Sequence, residues 1–327
     1  MLKRILHKRH ITAVLTVVIA AACLIAYGQS SLDWPMFRRD EGRTGFHSGA
    51  NGRLVGSSGA TDTPRSRWNY PHTVPNPSQK NRPFLDSIGN AVASPAVGTA
   101  GGMFVAIFAS YKLFQLREAQ PDGTPALLAE YGTVYCFDGF RGLGSATRGG
   151  HPLWWYGYRD VPYDPNNTTS KAEHEFLVDV SRRVAESCPD YDPDVARTYQ
   201  PLGPVRSSPA LFRLSEPLQY EAKWKRLDGA TASGTFTTQD IVVFGSDDGF
   251  VYCLDANPGN AIRYSRVDDA GVEHVTYVAR CIWRYDTLKL LSKGHTTSYV
   301  QVVSSPLVVQ LPGEQPMVIV GTGTGYL

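Results

Sequence analysis

Residues Gly245 to Gly259 read GSDDGFVYCLDANPG, placing two adjacent carboxylates, Asp247 and Asp248, close to Cys253 and Asp255. Paired carboxylates can divide general acid and base work, and carboxylates beside a thiolate can hold a divalent cation. A second copy of the same stretch tests that chemistry. Around Gly132 the chain reads GTVYCFDG, and at Gly325 it reads GYL. Aligned on these glycines, Glu130-Tyr131 and Gly323-Thr324 stand opposite the Asp pair, so two acids occur in one copy only. Asp-Asp-Gly therefore reads as a hairpin turn, with Asp bonding its own backbone and Gly supplying positive φ. Asp138 and Asp255 recur with their strands and are expected to accept N–H bonds from the turn that follows. Cys136 and Cys253 share a slot for a small buried side chain, not a disulfide.

The other reactive residue types form no constellation. Among five cysteines (Cys23, Cys136, Cys188, Cys253 and Cys281) there is no CxxC and no adjacent pair. His47, His72, His151, His174, His274 and His295 lack ligand spacing, and each reads as a loop residue. Ser94, Ser208 and Ser305 precede prolines outside any Gly-x-Ser-x-Gly context. Catalytic, metal-binding and cofactor-binding residues are accordingly expected to be none.

What must position these residues is a repeat. Ala93-Ser94-Pro95-Ala96-Val97 resembles Ser207-Ser208-Pro209-Ala210-Leu211 and Ser304-Ser305-Pro306-Leu307-Val308. Each copy leads to an apolar segment (FVAIFAS, IVVFGS, MVIVGT), and the first two continue into VYCFD or VYCLD and then a tryptophan step, PLWWY or CIWRY. Four short β-elements per unit follow, separated by Gly, Asp, Asn and Pro. The repeat positions are Trp68 (in the orphan SRWNY), Pro95, Gly132, Tyr135, Asp138, Trp154, Pro209, Gly249, Tyr252, Asp255, Trp283, Pro306 and Gly325. In VYCLD, Val251, Cys253 and Asp255 alternate with Tyr252 and Leu254, which suits a strand packed on both faces. Trp154 and Trp283 are expected to pack between neighbouring sheets.

Insertions separate the units. Asp160–Gln200 includes KAEHEFLVDVSRRVAESC, where Phe176, Val180, Val184 and Cys188 recur every four residues with Leu177 beside them. That periodicity predicts an amphipathic helix within a helical insertion around residues 160–200. Further insertions, roughly Gln115–Glu130 and Ser215–Gln239, should decorate the rims.

Composition agrees with a β-rich chain: Gly 31, Pro 22, and Tyr 17 against Phe 13, with 42% apolar and 19% charged residues. A net charge of +2 without an arginine stripe argues against nucleic acid. At the N-terminus MLKRILHKRH precedes ITAVLTVVIAAACLIAY and a small-residue step, Ala26-Tyr27-Gly28. Residues 1–28 are read first as a secretory signal peptide, with a retained membrane anchor (residues 11–27) and lipidation at Cys23 as alternatives. Each places residues after about 30 outside the cytoplasm, periplasmic or secreted, with membrane contact only through the N-terminal segment.

DWPMFRRDEGRTGF (Asp33 to Phe46), the Ser-Pro strands, the Gly-x-x-Tyr-x-x-Asp strands and the closing tryptophan strands resemble bacterial proteins with pyrroloquinoline-quinone-type (PQQ-like) β-propeller repeats. The resemblance implies an all-β propeller of four-stranded blades over residues 29–327, about two to three blades being present. The third unit stops at Gly325–Leu327, so the expectation is a partial chain with further blades beyond it. Enzymatic members of that family are dehydrogenases that hold pyrroloquinoline quinone with calcium between a tryptophan and a disulfide of adjacent cysteines. This chain lacks adjacent cysteines, and Asp255 to Tyr264 departs from the usual Asp-x-x-Thr-Gly-Lys-x-x-Trp run, delaying the tryptophan to Trp283. The favoured expectation is a non-enzymatic scaffold binding a protein partner at the cell envelope. A fragment of a quinone-dependent alcohol or sugar dehydrogenase and a membrane-anchored sensor ectodomain are the alternatives.

Overall fold

A computed structural model describes residues 91, 93–117, 127–139, 152–159, 168–188, 202–287, 301–311 and 313–323. The N-terminal segment, Asp33–Phe46, Trp68 and Gly325 lie outside the described residues. More than half of what is described is strand, with one α-helix, so the fold is all-β with a helical insertion.

The first unit is an antiparallel meander: β1 (Ala96–Ala100), β2 (Met103–Arg117), β3 (Leu127–Asp138) and β4 (Trp154–Gly157). In the second unit β5 (Ala210–Lys225), β6 (Thr231–Gly245) and β7 (Phe250–Asp255) repeat that order. Its fourth strand is β10 (Cys281–Asp286), which pairs with β7. Between β7 and β10 the chain inserts a hairpin, β8 (Ile262–Val267) and β9 (Glu273–Val278). This hairpin leaves its own unit. β9 joins β4 in parallel, Trp155 opposite Val278, making a six-stranded sheet in the order β1-β2-β3-β4-β9-β8. The third unit contributes β11 (Leu307–Val309) and β12 (Met317–Ile319), a two-stranded antiparallel sheet.

The period-2 alternation of the strands sorts side chains into two cores. One face of the first unit (Ala96, Val105, Ile107, Val134, Cys136) meets one face of the second (Leu211, Val242, Phe244, Tyr252, Leu254) in a shared cluster. The second unit's other face (Ala210, Ile241, Val243, Val251, Cys253) meets Val302, Val308, Val318 and Val320 of the third. β7 is buried along its whole length because it has a neighbour on each side. Three sheets thus follow one another face to face, each contact made by the same strand positions.

Helix α1 (Thr168–Glu186) covers the first core. Phe176, Leu177, Val180 and Val184 form its buried stripe, and Cys188 just beyond it is buried as well. Each large apolar side chain on that stripe is worth roughly 1.5–3 kcal/mol when removed from water. Ser181 fixes the helix laterally, its Oγ accepting the Arg159 N–H at 2.9 Å and donating within 3.1 Å of the Arg159 carbonyl. No helix among the described residues is long and apolar enough to cross a membrane.

Of the expected rim insertions, Ser215–Gln239 is two strand arms joined by a turn rather than decoration. It forms the long arms of the β5–β6 hairpin, paired from Leu218↔Thr238 to Lys225↔Thr231. Likewise β2 runs on to Arg117 and β3 begins at Leu127, so the Gln115–Glu130 insertion extends a hairpin at both ends.

Candidate functional site

The acid-rich stretch lies between units. Ser246 to Gly249 is a tight turn in which the Gly249 N–H donates to the Ser246 carbonyl at 3.1 Å. Gly249 has φ +87°, a conformation that favours glycine there. Asp248 is buried at the turn. Its Oδ1 accepts the Phe250 N–H (3.0 Å), and its Oδ2 accepts the Gly203 N–H (2.9 Å) and the Tyr252 hydroxyl (2.8 Å). Burial raises its pKa above the usual carboxylate value, and these hydrogen bonds pull in the opposite direction. Burial, followed by the Asp248 charge, drives the Tyr252 hydroxyl upward. Asp247 donates its N–H to the Pro204 carbonyl at 2.8 Å and pairs with the Arg206 guanidinium. Arg206 also reaches Glu130 at 3.3 Å and lies 4.6 Å above the Tyr111 ring, linking the first unit to the second.

Asp255 ends β7 and is 1% exposed. Oδ1 accepts the Asn257 N–H (2.9 Å) and the Thr238 hydroxyl (2.7 Å); Oδ2 accepts the Tyr220 hydroxyl (2.6 Å) and the Asn260 amide (2.7 Å). Four donors saturate the carboxylate. The Tyr220 hydroxyl is pushed far up, first by burial and then by that carboxylate. Beside it Arg280 lies against two rings set edge to face, 3.7 Å from Phe236 and 4.2 Å from Trp224, with Nε donating to the Asn260 carbonyl at 2.7 Å. The guanidinium thereby ties the long β5–β6 arms to the turn after β7.

The serines before the prolines form a ladder. The Ser94 N–H donates to Ser208 Oγ (3.0 Å), and the Ser208 N–H donates to Ser305 Oγ (3.1 Å). A second set of bonds recurs inside units two and three. Ser207 Oγ donates to the Gly245 carbonyl and accepts its N–H, both at 2.8 Å. Ser304 Oγ does the same with Gly321, at 2.8 and 2.6 Å. These serines are backbone fasteners.

Among the repeat positions, Pro95 (exposed), Pro209 and Pro306 (both buried) directly precede β1, β5 and β11. Tyr135 and Tyr252 are buried on β3 and β7, Asp138 ends β3, and Trp283 is half-buried on β10. Trp154 is fully buried, its indole N–H donating to the Ala256 carbonyl at 3.1 Å. Gly132 needs its missing side chain for a different reason from Gly249: a Cβ there would lie 2.1 Å from the Gly203 carbonyl oxygen.

The structure also corrects the histidine reading. His274 is a strand residue on β9, 8% exposed, with Nε2 2.9 Å from Asp268 Oδ2 at the hairpin tip. Its hydrogen bond is the first cause holding the Asp268 carboxyl below its usual range. His174 lies in α1; the other histidines named above lie outside the described residues. Sequence reasoning also passed over Arg280, Trp155 and the β8–β9 hairpin. A signal for the last was present in IRYSRV-DDAG-VEHVTYV, two alternating runs around a Gly-containing turn.

Cys136, Cys188, Cys253 and Cys281 form no disulfide with one another. Among the described residues, no three His, Cys, Asp or Glu side chains converge on a point that could hold a metal. Asp248 and Asp255 spend their lone pairs on protein donors, and the rings of Trp154 and Trp155 are enclosed in the core. Compared with family models, curated proteins and solved structures, the chain has no match.

Proposed function

We propose that this chain is an exported β-propeller protein that serves as a non-enzymatic scaffold, binding a protein partner at the cell envelope. The observation that carries the reading is the contact between sheets, used twice. The same serine slot and the same alternating faces join the first unit to the second and the second to the third. Successive four-stranded meanders joined by one repeated step are how a propeller is assembled. Support for a scaffold comes from Asp248 and Asp255, which serve as internal fasteners. Exposed apolar side chains on the third unit (Val303, Leu311, Met317) offer surface for a partner. The basic and apolar N-terminal segment supports export.

The test adds pyrroloquinoline quinone and calcium to the purified exported protein with a dye acceptor. It also places a photo-crosslinking residue at Met317 in cells. The expected outcome is no dye reduction and a discrete envelope-protein adduct. Dye reduction, or quinone absorbance that survives desalting, overturns the scaffold reading in favour of a dehydrogenase. An uncleaved Met1 in N-terminal sequencing would move the protein to the anchored sensor reading.

A further inference from the structure

The inserted helix, the long arm of β5 and the crossed hairpin meet around one cavity. Val184 comes from α1, Ala222 and Lys223 from β5, Tyr264 and Val278 from β8 and β9, with Tyr156 of β4 beside them. Its volume is ≈ 20 Å³, room for a water molecule or one small ion and for nothing of drug size. Two cations line it, Lys223 and Arg280, and among the described residues no carboxylate does. Hydroxyls on the wall are spent on the protein. Tyr264 donates to the Lys225 carbonyl at 2.8 Å, and Ser187 Oγ donates to the Arg183 carbonyl and accepts the Lys225 N–H at 2.9 Å.

Arg280 is only 7% exposed. Nε donates to the Asn260 carbonyl, Nη1 is closed off without an acceptor, and no ion pair reaches the guanidinium among the described residues. Asp255 acts on it across space only, because its two oxygens already hold Asn257, Thr238, Tyr220 and Asn260. Burial is the first cause that pulls Arg280 below its ordinary value. A buried cation held by one neutral acceptor and two aromatic rings keeps most of its charge uncompensated. A bound anion supplies that compensation, and a water molecule does not.

We propose that this cavity binds one small monovalent anion of the halide class, with Arg280 as its counter-charge and the exposed Lys223 beside it. A divalent oxyanion is larger than the space, and its hydration is too strong to give up against Val184, Ala222 and Val278. A halide carries a single charge and needs no directed set of donors. The ion lies where α1, the β5 arm and the β8–β9 hairpin converge, so its binding strengthens the docking of these insertions on the sheets. Nothing in this site depends on export or on the scaffold role, so the two readings fail separately.

The purified chain is melted in sodium chloride and in sodium gluconate at one fixed ionic strength, and chloride NMR linewidths are read alongside. Chloride should stabilise saturably where gluconate does not, and its line should broaden until bromide competes the broadening away. At ten times its dissociation constant the ion favours the folded state by about elevenfold. Ala222→Val narrows the cavity and keeps both cations, and it should abolish both signals. Lys223→Ala, at an exposed position, should weaken binding about twofold to fivefold with the fold intact. An absent or non-saturable chloride effect overturns the proposal and leaves the cavity to water. An undiminished effect in Ala222→Val overturns it too, because the ion then sits elsewhere. So does chloride binding that appears only after Asp190→Asn, Asp192→Asn and Asp194→Asn together, which would assign the counter-charge to the chain's own acids.

Discussion

The first two units share their sheet and differ in their connections. β3 and β7 carry VYCFD and VYCLD in the same slot, Cys136 opposite Ile107 and Cys253 opposite Val243. Both cysteines are fully buried, as are the residues that flank them. The strand before each is another matter. β6 and β7 meet through a four-residue turn at Ser246–Gly249, whereas β2 and β3 continue past the same register as longer arms. Both fourth strands lie beside the third in the sheet, but along the chain β10 comes after a hairpin that has crossed to the neighbouring unit. Side chains inside a sheet stack are fixed by two sets of neighbours, so their sizes cannot drift. A connection at the rim is bounded by water and can lengthen at modest entropic cost.

The sharpest break in this comparison is Asp255→Ala. It strands Tyr220, Thr238 and the Asn257 N–H in a buried site, so unfolding free energy should fall by more than ~3 kcal/mol in urea denaturation. A loss below ~1 kcal/mol would mean that the Asp is dispensable to the turn.

The two register glycines come next. Gly132→Ala forces a methyl against the Gly203 backbone and should cost about 2–3 kcal/mol. Gly249→Ala meets a positive φ, for about 1 kcal/mol. Thermal melts of the two variants side by side check the order; the reverse order would refute different causes for one slot.

Ser208→Ala removes the acceptor for the Ser94 N–H while leaving both sheets in place, a loss of about 1 kcal/mol. Ser305→Ala should match it if the ladder is one device used twice, since Ser305 accepts the Ser208 N–H.

The smallest effects separate two acids by sign. Asp268 is held below its usual value, so its contribution is present above the ordinary carboxylate pKa and lost as pH falls through its lowered one. Asp268→Asn should flatten that acid limb. Asp248 is raised, so the folded state favours its protonated form; that contribution is present below the ordinary value and lost as pH rises through the raised one. Denaturation curves across the acid range should show opposite slopes for Asp268→Asn and Asp248→Asn, each measured against the parent chain.

Much of the sheet was legible in the residues. Alternation in VYCLD indicated a strand buried on both faces, and the fourfold spacing of Phe176, Val180 and Val184 indicated the helix, because both patterns are local. The tie from Asp255 to its following turn was readable for the same reason: Asn257 is its neighbour in the chain. Its bonds to Tyr220 and Thr238 were not, since those residues come from the long arms of another hairpin.

What the sequence by itself determined is therefore a set of repeated β-elements and a turn where an acid cluster first suggested chemistry. Only the tertiary structure decided that Asp248 holds Gly203, that Arg280 packs against Phe236 and Trp224, and that β9 pairs with β4. Local propensity acts over a few residues and leaves its pattern in them. Contacts across a hundred residues depend on which faces meet when the sheets stack, and short sequence windows do not record that choice.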